Sequence, residues 1–434
     1  MNDLRRRLLF LLGALIVFRV GAHIPVPGVN AAALANSFKE GNAGILGMLN
    51  LFSGGSLERF SIFAIGIMPY ISASIIIQLV AEVLPSLKAL KKEGEAGRRT
   101  LTKYTRWGTL LVAVVQAFAA AAVVYQRPDL VVIGRTEFYI STITCLVTGT
   151  MFLMWLGEQM TERGIGNGIS MLIFAGIAVH IPSGIVNLIV QAKEGDITFF
   201  RFFLMLLIII ALFAFIVFIE RAQRQIAIHY AKRQGLGSLG MGKRSHLPLK
   251  INMAGVIPAI FASAIITLIV SGLALLGGMS GAMGRYFSDM AHGFSQGNWL
   301  YVATFSLLIV LFSFFYTAMM FENRELADNL KKSNAFIQGF RPGRQTSEYL
   351  DMVQERLTLV GALYVAFVCV LPSLLNMGSA SGQVLFLFGG TSLLIAVVVA
   401  MDFVAQVQSY VMSKQYEQLM KRANLSGFAD RNGL

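Results

Sequence analysis

Residues 50–79 read NLFSGGSLERFSIFAIGIMPYISASIIIQL, an apolar run that starts, breaks and starts again. Gly54 and Gly55 interrupt a short hydrophobic piece, Glu58 and Arg59 follow, and residues 60–81 then carry no Asp, Glu, Lys or Arg, although they contain Pro69. A run of that length matches the ~20 residues a helix needs to cross a bilayer core. At the bilayer centre Glu58 and Arg59 would each cost roughly 2.5–3.5 kcal/mol on insertion scales. They are therefore expected in water or close to the outer surface. The short, glycine-hinged piece around them has two readings. One is a re-entrant element filling a cavity, because non-helical backbone at membrane depth is tolerated only where protein or a water-filled cavity receives it. The other is an interfacial helix lying on the outer surface.

The rest of the chain repeats the apolar pattern. Residues 107–126, 138–157, 164–192, 202–219, 251–284, 299–321 and 357–401 also lack acidic and basic residues. The last of these holds Pro372 and the turn NMGSASG, and so reads as two spans. With residues 8–24 added, the expectation is an all-α membrane protein of ten transmembrane helices. RRRLLFLLGALIVF also resembles a signal peptide, with Val20-Gly21-Ala22 as a cleavage site. Arg19 just upstream and the prolines of IPVPG just downstream favour a retained span. A composition of 56% hydrophobic and 14% charged residues is far more apolar than that of an ordinary soluble domain.

Charge fixes the orientation. If loops alternate from an inside start, one side holds 28 of the 36 Lys and Arg and the other eight, which places both termini in the cytosol. The net charge of +13 is thus a topology signal first, and nucleic-acid binding is the lesser reading. Two cytosolic loops are too long to be turns. Residues 220–250 carry seven basic residues against one Glu, and the period-two spacing of IAIHYA suggests a hairpin with the glycine-rich QGLGSLGMG at its tip. Residues 322–356 surround FRPGRQ, a turn signal. Five spans per half would place the second half in the membrane upside down relative to the first, an inverted arrangement able to enclose a midplane cavity.

Several chemistries are excluded. Gly235, Gly237 and Gly240 match GxGxxG, and Gly237–Lys243 matches a phosphate-binding loop until Arg244, but neither follows a parallel strand or opens a helix. No Asp or Glu lies inside a span, which argues against an ion-coupled carrier. Cys145 and Cys369 both sit within spans as small core residues, and the five histidines show no ligand spacing; no cofactor or metal is expected. Arg19 is the one charge inside a span, and a structural anchor is its expected role.

Six blocks carry a resemblance: FSGGSLERFSIFAIGIMPYISASIIIQL, KKEGEAGRRTLTKYTRWGTL, GTMFLMWLGEQMTERGIGNGIS, HLPLKINMAGVIPAIFASAI, NLKKSNAFIQGFRPGRQT and FGGTSLLIAVVVAMDFVAQVQS. Together they resemble the bacterial SecY family, the protein-conducting channel subunit of the Sec translocon. The match is spread over nearly the whole chain. It implies two inverted five-helix halves around an hourglass pore in the inner membrane, residues 1–192 and 193–412, followed by a cytosolic tail, 413–434. It implies a plug, a short helix closing the outer funnel, at Phe52, Ser53, Gly54, Gly55, Ser56, Leu57, Glu58 and Arg59. A ring of isoleucines at the neck falls on Ile67, Ile71, Ile173, Ile260 and Ile395, and a sixth position found in some relatives falls on Gly272.

Ser72 and Gln116 are the candidate polar residues of a lateral seam through which transmembrane segments leave for lipid. Branched apolar side chains offer a passing polypeptide no fixed hydrogen bonds, and a hydrophobic neck can still close by dewetting. The implied partners are SecE-like and SecG-like small membrane subunits, preprotein signal sequences and lipid. Arg224, Lys243, Arg244, Lys250, Arg341 and Arg344 are expected to dock the SecA motor ATPase and the ribosome, with no hydrolysis by the channel itself. A flippase or glycosyl carrier is the alternative from another class, but it would need a charged or metal-binding intramembrane site. A Sec paralogue serving a restricted set of substrates is a further one.

Overall fold

A computed structural model describes residues 2–30, 53–125, 130–194, 199–230, 245–277, 282–294, 298–376 and 390–422. Phe52, Lys243, Arg244 and the glycine-rich loop tip lie outside these. In chain order the first helices are α1 (Asn2–Gly21), α2 (Met68–Val83), α3 (Pro85–Lys92), α4 (Glu95–Tyr125) and α5 (Arg135–Arg163). Then come α6 (Gly168–Ala178), α7 (His180–Glu194) and α8 (Phe199–Arg221), strands β1 (Gln223–Tyr230) and β2 (Ser245–Lys250), and α9 (Ile257–Gly277). The chain continues through α10 (Ala282–Gly293), α11 (Trp299–Met320), α12 (Asn323–Lys332), β3 (Ala335–Ile337), α13 (Arg344–Asn376) and α14 (Gly390–Arg422). Among the described residues seven helices are long and apolar enough to cross a membrane, and the bent pair α2–α3 makes an eighth candidate. Two compact units emerge: Met1–His180 with Ala396–Leu434, and Ile181–Ile395.

In the first unit α4 and α5 pack side by side and are pinned by a bidentate ion pair. Arg106 Nε and Nη2 donate to the Glu158 carboxylate at 3.1 and 2.6 Å. The apolar run at 60–81, expected as one span, is not one helix. Residues 53–66 are turns, and α2 begins only at Met68, with Pro69 in its first turn where a missing N–H costs nothing. The short plug helix implied by the resemblance is likewise absent among the described residues 53–59. The reason is local. Gly54, Gly55, Phe60 and Gly66 all hold positive φ, and such residues cannot continue a right-handed helix. At the other end of α2, Leu84 is extended because Pro85 follows it, and α3 leaves at 104°.

In the second unit the expected hairpin forms. β1 and β2 pair antiparallel from Gln223↔Lys250 to Ile228↔Ser245, and β3 joins the other edge to give the order β2-β1-β3. Pro248 is tolerated because β2 is an edge strand. The alternation read from IAIHYA is what buries Ile226 and Ile228 on one face. With Leu249 and Ile337, Ile226 packs on Leu350, Val353 and Leu357 of α13, so the sheet rests on that helix.

Candidate functional site

The turns at 53–66 are a built structure. Ser53 Oγ accepts from the Leu57 amide at 3.3 Å, and the Ser61 amide donates to the Ser56 carbonyl at 2.9 Å. Residues 60–62 are clipped to the segment after α1: the Val26 amide donates to the Phe60 carbonyl at 2.9 Å, and the Ile62 amide to the Ile24 carbonyl at 3.0 Å. Leu57 and Phe60 share a buried cluster with Ala117 and Ala121 of α4 and Phe138 and Leu146 of α5. Phe63 stacks between Phe18 and Phe152, with ring centroids 6.2 and 5.9 Å away. Gly149 makes this approach possible, because a Cβ there would lie 2.0 Å from the Ile62 carbonyl oxygen.

The glycine pair meets the end of α6 and the start of α7. A Cβ on Gly54 would fall 3.0 Å from Cα of Gly176, and one on Gly55 would lie 3.4 Å from the His180 ring. Gly176 is three residues from Ile173 and so shares its helix face. The turn that holds Ser53–Arg59 therefore sits beside one candidate ring residue. It leads directly into two more, since Ile67 is the N-cap residue of α2 and its carbonyl accepts from the Ile71 amide at 3.2 Å. Ile67, Ile71 and Ile173 are all buried. Asn167 sets the start of α6 by accepting at Oδ1 from the Ile169 and Ser170 amides at 3.1 and 3.5 Å. In the second unit Ile260 lies half-buried in the first turn of α9, and Ile395 in α14 is fully buried.

Ser72 on α2 and Gln116 on α4 belong to neighbouring helices of the first unit, and both are buried. The Ser72 hydroxyl and Gln116 Nε2 have no hydrogen-bond partner among the described residues. Buried groups of this kind cost free energy while unpaired.

Arg19 is a contact that composition could not reveal. Its Nη1 donates to the Gly54 carbonyl at 2.9 Å across 35 residues of sequence. The signal was present, as the only charge inside a span, but its partner is a backbone atom. On the sheet, Arg224 and Lys250 are exposed at the base of the hairpin, which places their charges where a partner can reach them. The FRPGR turn is held by the two side chains that follow it. The Arg341 amide donates to Gln345 Oε1 at 3.3 Å, Thr346 Oγ1 donates to the Arg341 carbonyl at 2.9 Å, and Gly343 takes φ +110°. Arg341 is exposed, and exposed Arg344 pairs with Glu348 at 2.9 Å. No group of three or more His, Cys, Asp or Glu able to hold a metal occurs among the described residues.

The SecY family model matches residues 61–404. The protein translocase subunit SecY of Escherichia coli strain K12 is 52% identical over 431 residues, which cover 99% of this chain and 96% of that relative. The chain belongs to the SecY family. Solved structures agree on the fold: one described as a protein conducting channel matches with TM-score 0.67 at 18% identity, over 94% of this chain and 92% of the other. Sec61 in the canine ribosome-channel complex from the endoplasmic reticulum matches with TM-score 0.64 at 18% identity, over the same shares of the two chains. The SecY fold is therefore shared well beyond the range of close sequence similarity.

Proposed function

We propose that this chain is the channel subunit of a bacterial protein translocase. It passes unfolded polypeptides across the inner membrane and releases transmembrane segments sideways into lipid. Family membership over 99% of the chain carries the reading. The plug is Phe52–Arg59, whose described part, the Ser53–Arg59 turn, is supported by its seat against Gly176 and by its non-helical backbone. The neck is lined by Ile67, Ile71, Ile173, Ile260 and Ile395. Ser72 and Gln116 belong to one side of the lateral seam, which lies between spans two and three on that side and seven and eight on the other; their buried, unpartnered polar atoms support the reading. Ten spans and two inverted halves at 1–192 and 193–412 are supported by the charge-free runs and the family resemblance, and cytosolic termini with a tail at 413–434 by the charge asymmetry.

The complex includes SecE-like and SecG-like small membrane subunits. The cytosolic sheet and the FRPGR turn receive the SecA motor and the ribosome. The test is photocrosslinking. Crosslinkers placed singly at Ile71, Ile173, Ile260 and Ile395 should each capture a preprotein arrested in mid-transport. Capture of lipid alone at these four positions would overturn the reading.

A further inference from the structure

We propose that Arg19 is the latch of the plug: its hydrogen bond to the Gly54 carbonyl sets how readily the channel opens and how defective a signal sequence it accepts. The inference rests on the plug reading above. A guanidinium inside an apolar helix is costly unless it is paired. Leu12, Ile16, Val17 and Val20 around it are exposed and apolar, so α1 offers it nothing polar to bond. Its hydrogen-bond partner is the carbonyl of the first glycine of the plug turn, at 2.9 Å.

Gly54 cannot readily be replaced at this point. Its φ of +68° orients the carbonyl in a conformation that other residues rarely adopt, and the face it would use for a side chain is closed by Gly176. The plug turn is thus held between the Arg19 side chain and the backbone of α6. The two ends of the turn are secured differently. Residues 60–62 are clipped by backbone bonds to residues 24–26, whereas Arg19 holds the Gly54 end. Loss of the latch would loosen the Gly54 end, while the clip and the buried Leu57 and Phe60 keep the rest of the turn attached.

Arg59 is a like charge carried on the same plug turn, and its Nη1 is buried without a hydrogen-bond partner among the described residues. The turn thus holds one charge that is hydrogen-bonded to it, Arg19, and one buried donor that is not, on Arg59.

The experiment uses the intact complex, with its small membrane subunits, in planar bilayers. Each variant is normalised to the amount inserted. Arg19→Ala should raise resting conductance by about tenfold, the change expected from losing one charge-assisted hydrogen bond. It should also admit a preprotein whose signal sequence carries a charge in its apolar core. Arg19→Lys, which keeps a charged donor, should fall between Arg19→Ala and the parent. Arg59→Gln should match the parent, because it leaves the Arg19 bond in place.

A deletion of residues 53–59 run in parallel separates the two claims. If the deletion leaks and Arg19→Ala does not, the latch is wrong and the plug stands. If neither leaks, the plug reading fails and the latch with it. If Arg59→Gln leaks as much as Arg19→Ala, the effect is general loosening and the latch is again wrong. Arg19→Gln carries the same test should the alanine variant fail to insert.

Discussion

Asn252 Nδ2 donates to Glu220 Oε1 at 2.6 Å, and both side chains are buried. The same amide donates to the Gly255 carbonyl at 3.1 Å, and the Ile251 amide donates to the Ala222 carbonyl at 3.1 Å. These bonds tie the end of α8, the base of the hairpin and the entry to α9 into one joint, five residues before Ile260. From the other side α13 closes on it, because a Cβ on Gly361 would lie 3.1 Å from the Ile251 carbonyl. The sheet that presents Arg224 and Lys250 and the helix that carries Ile260 thus share a rigid support.

Removing the Asn252 amide should weaken that joint. Asn252→Leu leaves the Glu220 oxygen without this donor, at a cost of about 1–3 kcal/mol. Glu220→Gln keeps an acceptor of the same shape and should cost less. Thermal aggregation of the detergent-solubilised complex should rank the parent as most stable, Glu220→Gln next and Asn252→Leu last. Equal melting of all three would show that the joint contributes nothing.

Gly149 should tolerate no side chain. A methyl group there would push into the Ile62 carbonyl, and an overpacked contact of this kind costs about 1–3 kcal/mol. Gly149→Ala should lower folded yield and loosen residues 60–63, measured as faster protease cleavage near Phe63. Unchanged cleavage would mean that α5 can move aside.

The ring can be tested as a set. Replacing Ile67, Ile71, Ile173, Ile260 and Ile395 together by Ser should raise resting conductance and widen signal-sequence tolerance at near-parental yield. Reduced yield with normal conductance would show that the five are packing residues.

The docking residues divide by chemistry. Lys243→Glu with Arg244→Glu should weaken ribosome binding, and the parental affinity should itself fall steeply with added salt, as phosphate contacts do. Arg341→Glu should instead impair SecA-driven transport, because its turn is fixed by hydrogen bonds and suits one defined partner. Full transport and full ribosome affinity in both variants would leave these charges with an orienting role only.

Topology is open to labelling. Cysteines placed in Asn376–Ser381 should react from outside, and those in Gly235–Gly240 from the cytosol. The reverse pattern would contradict the charge asymmetry on which the orientation rests.

Some of this was legible because it depends on neighbours in sequence. Alternation in IAIHYA pointed to a strand, and the structure buries Ile226 and Ile228 on its one face. The start of α2 was not legible. Hydropathy counts Phe60–Ile67 as membrane-spanning, whereas positive φ at its two ends, Phe60 and Gly66, keeps that stretch out of a helix. The partner of Arg19 was equally hidden, since a carbonyl 35 residues away has no side-chain signature. Ser72 and Gln116 stood out as polar residues in apolar runs, but that both would be buried on adjacent helices with an unpaired atom each required coordinates.

The central claim is that this chain conducts polypeptides. Its most direct test places the purified chain, with its small membrane subunits, in lipid vesicles together with SecA, ATP and a labelled preprotein. The account predicts that preprotein becomes resistant to added protease only when SecA and ATP are both present, and that resistance is lost when the vesicles are dissolved. Fully inserted chain that protects no preprotein under these conditions would contradict it.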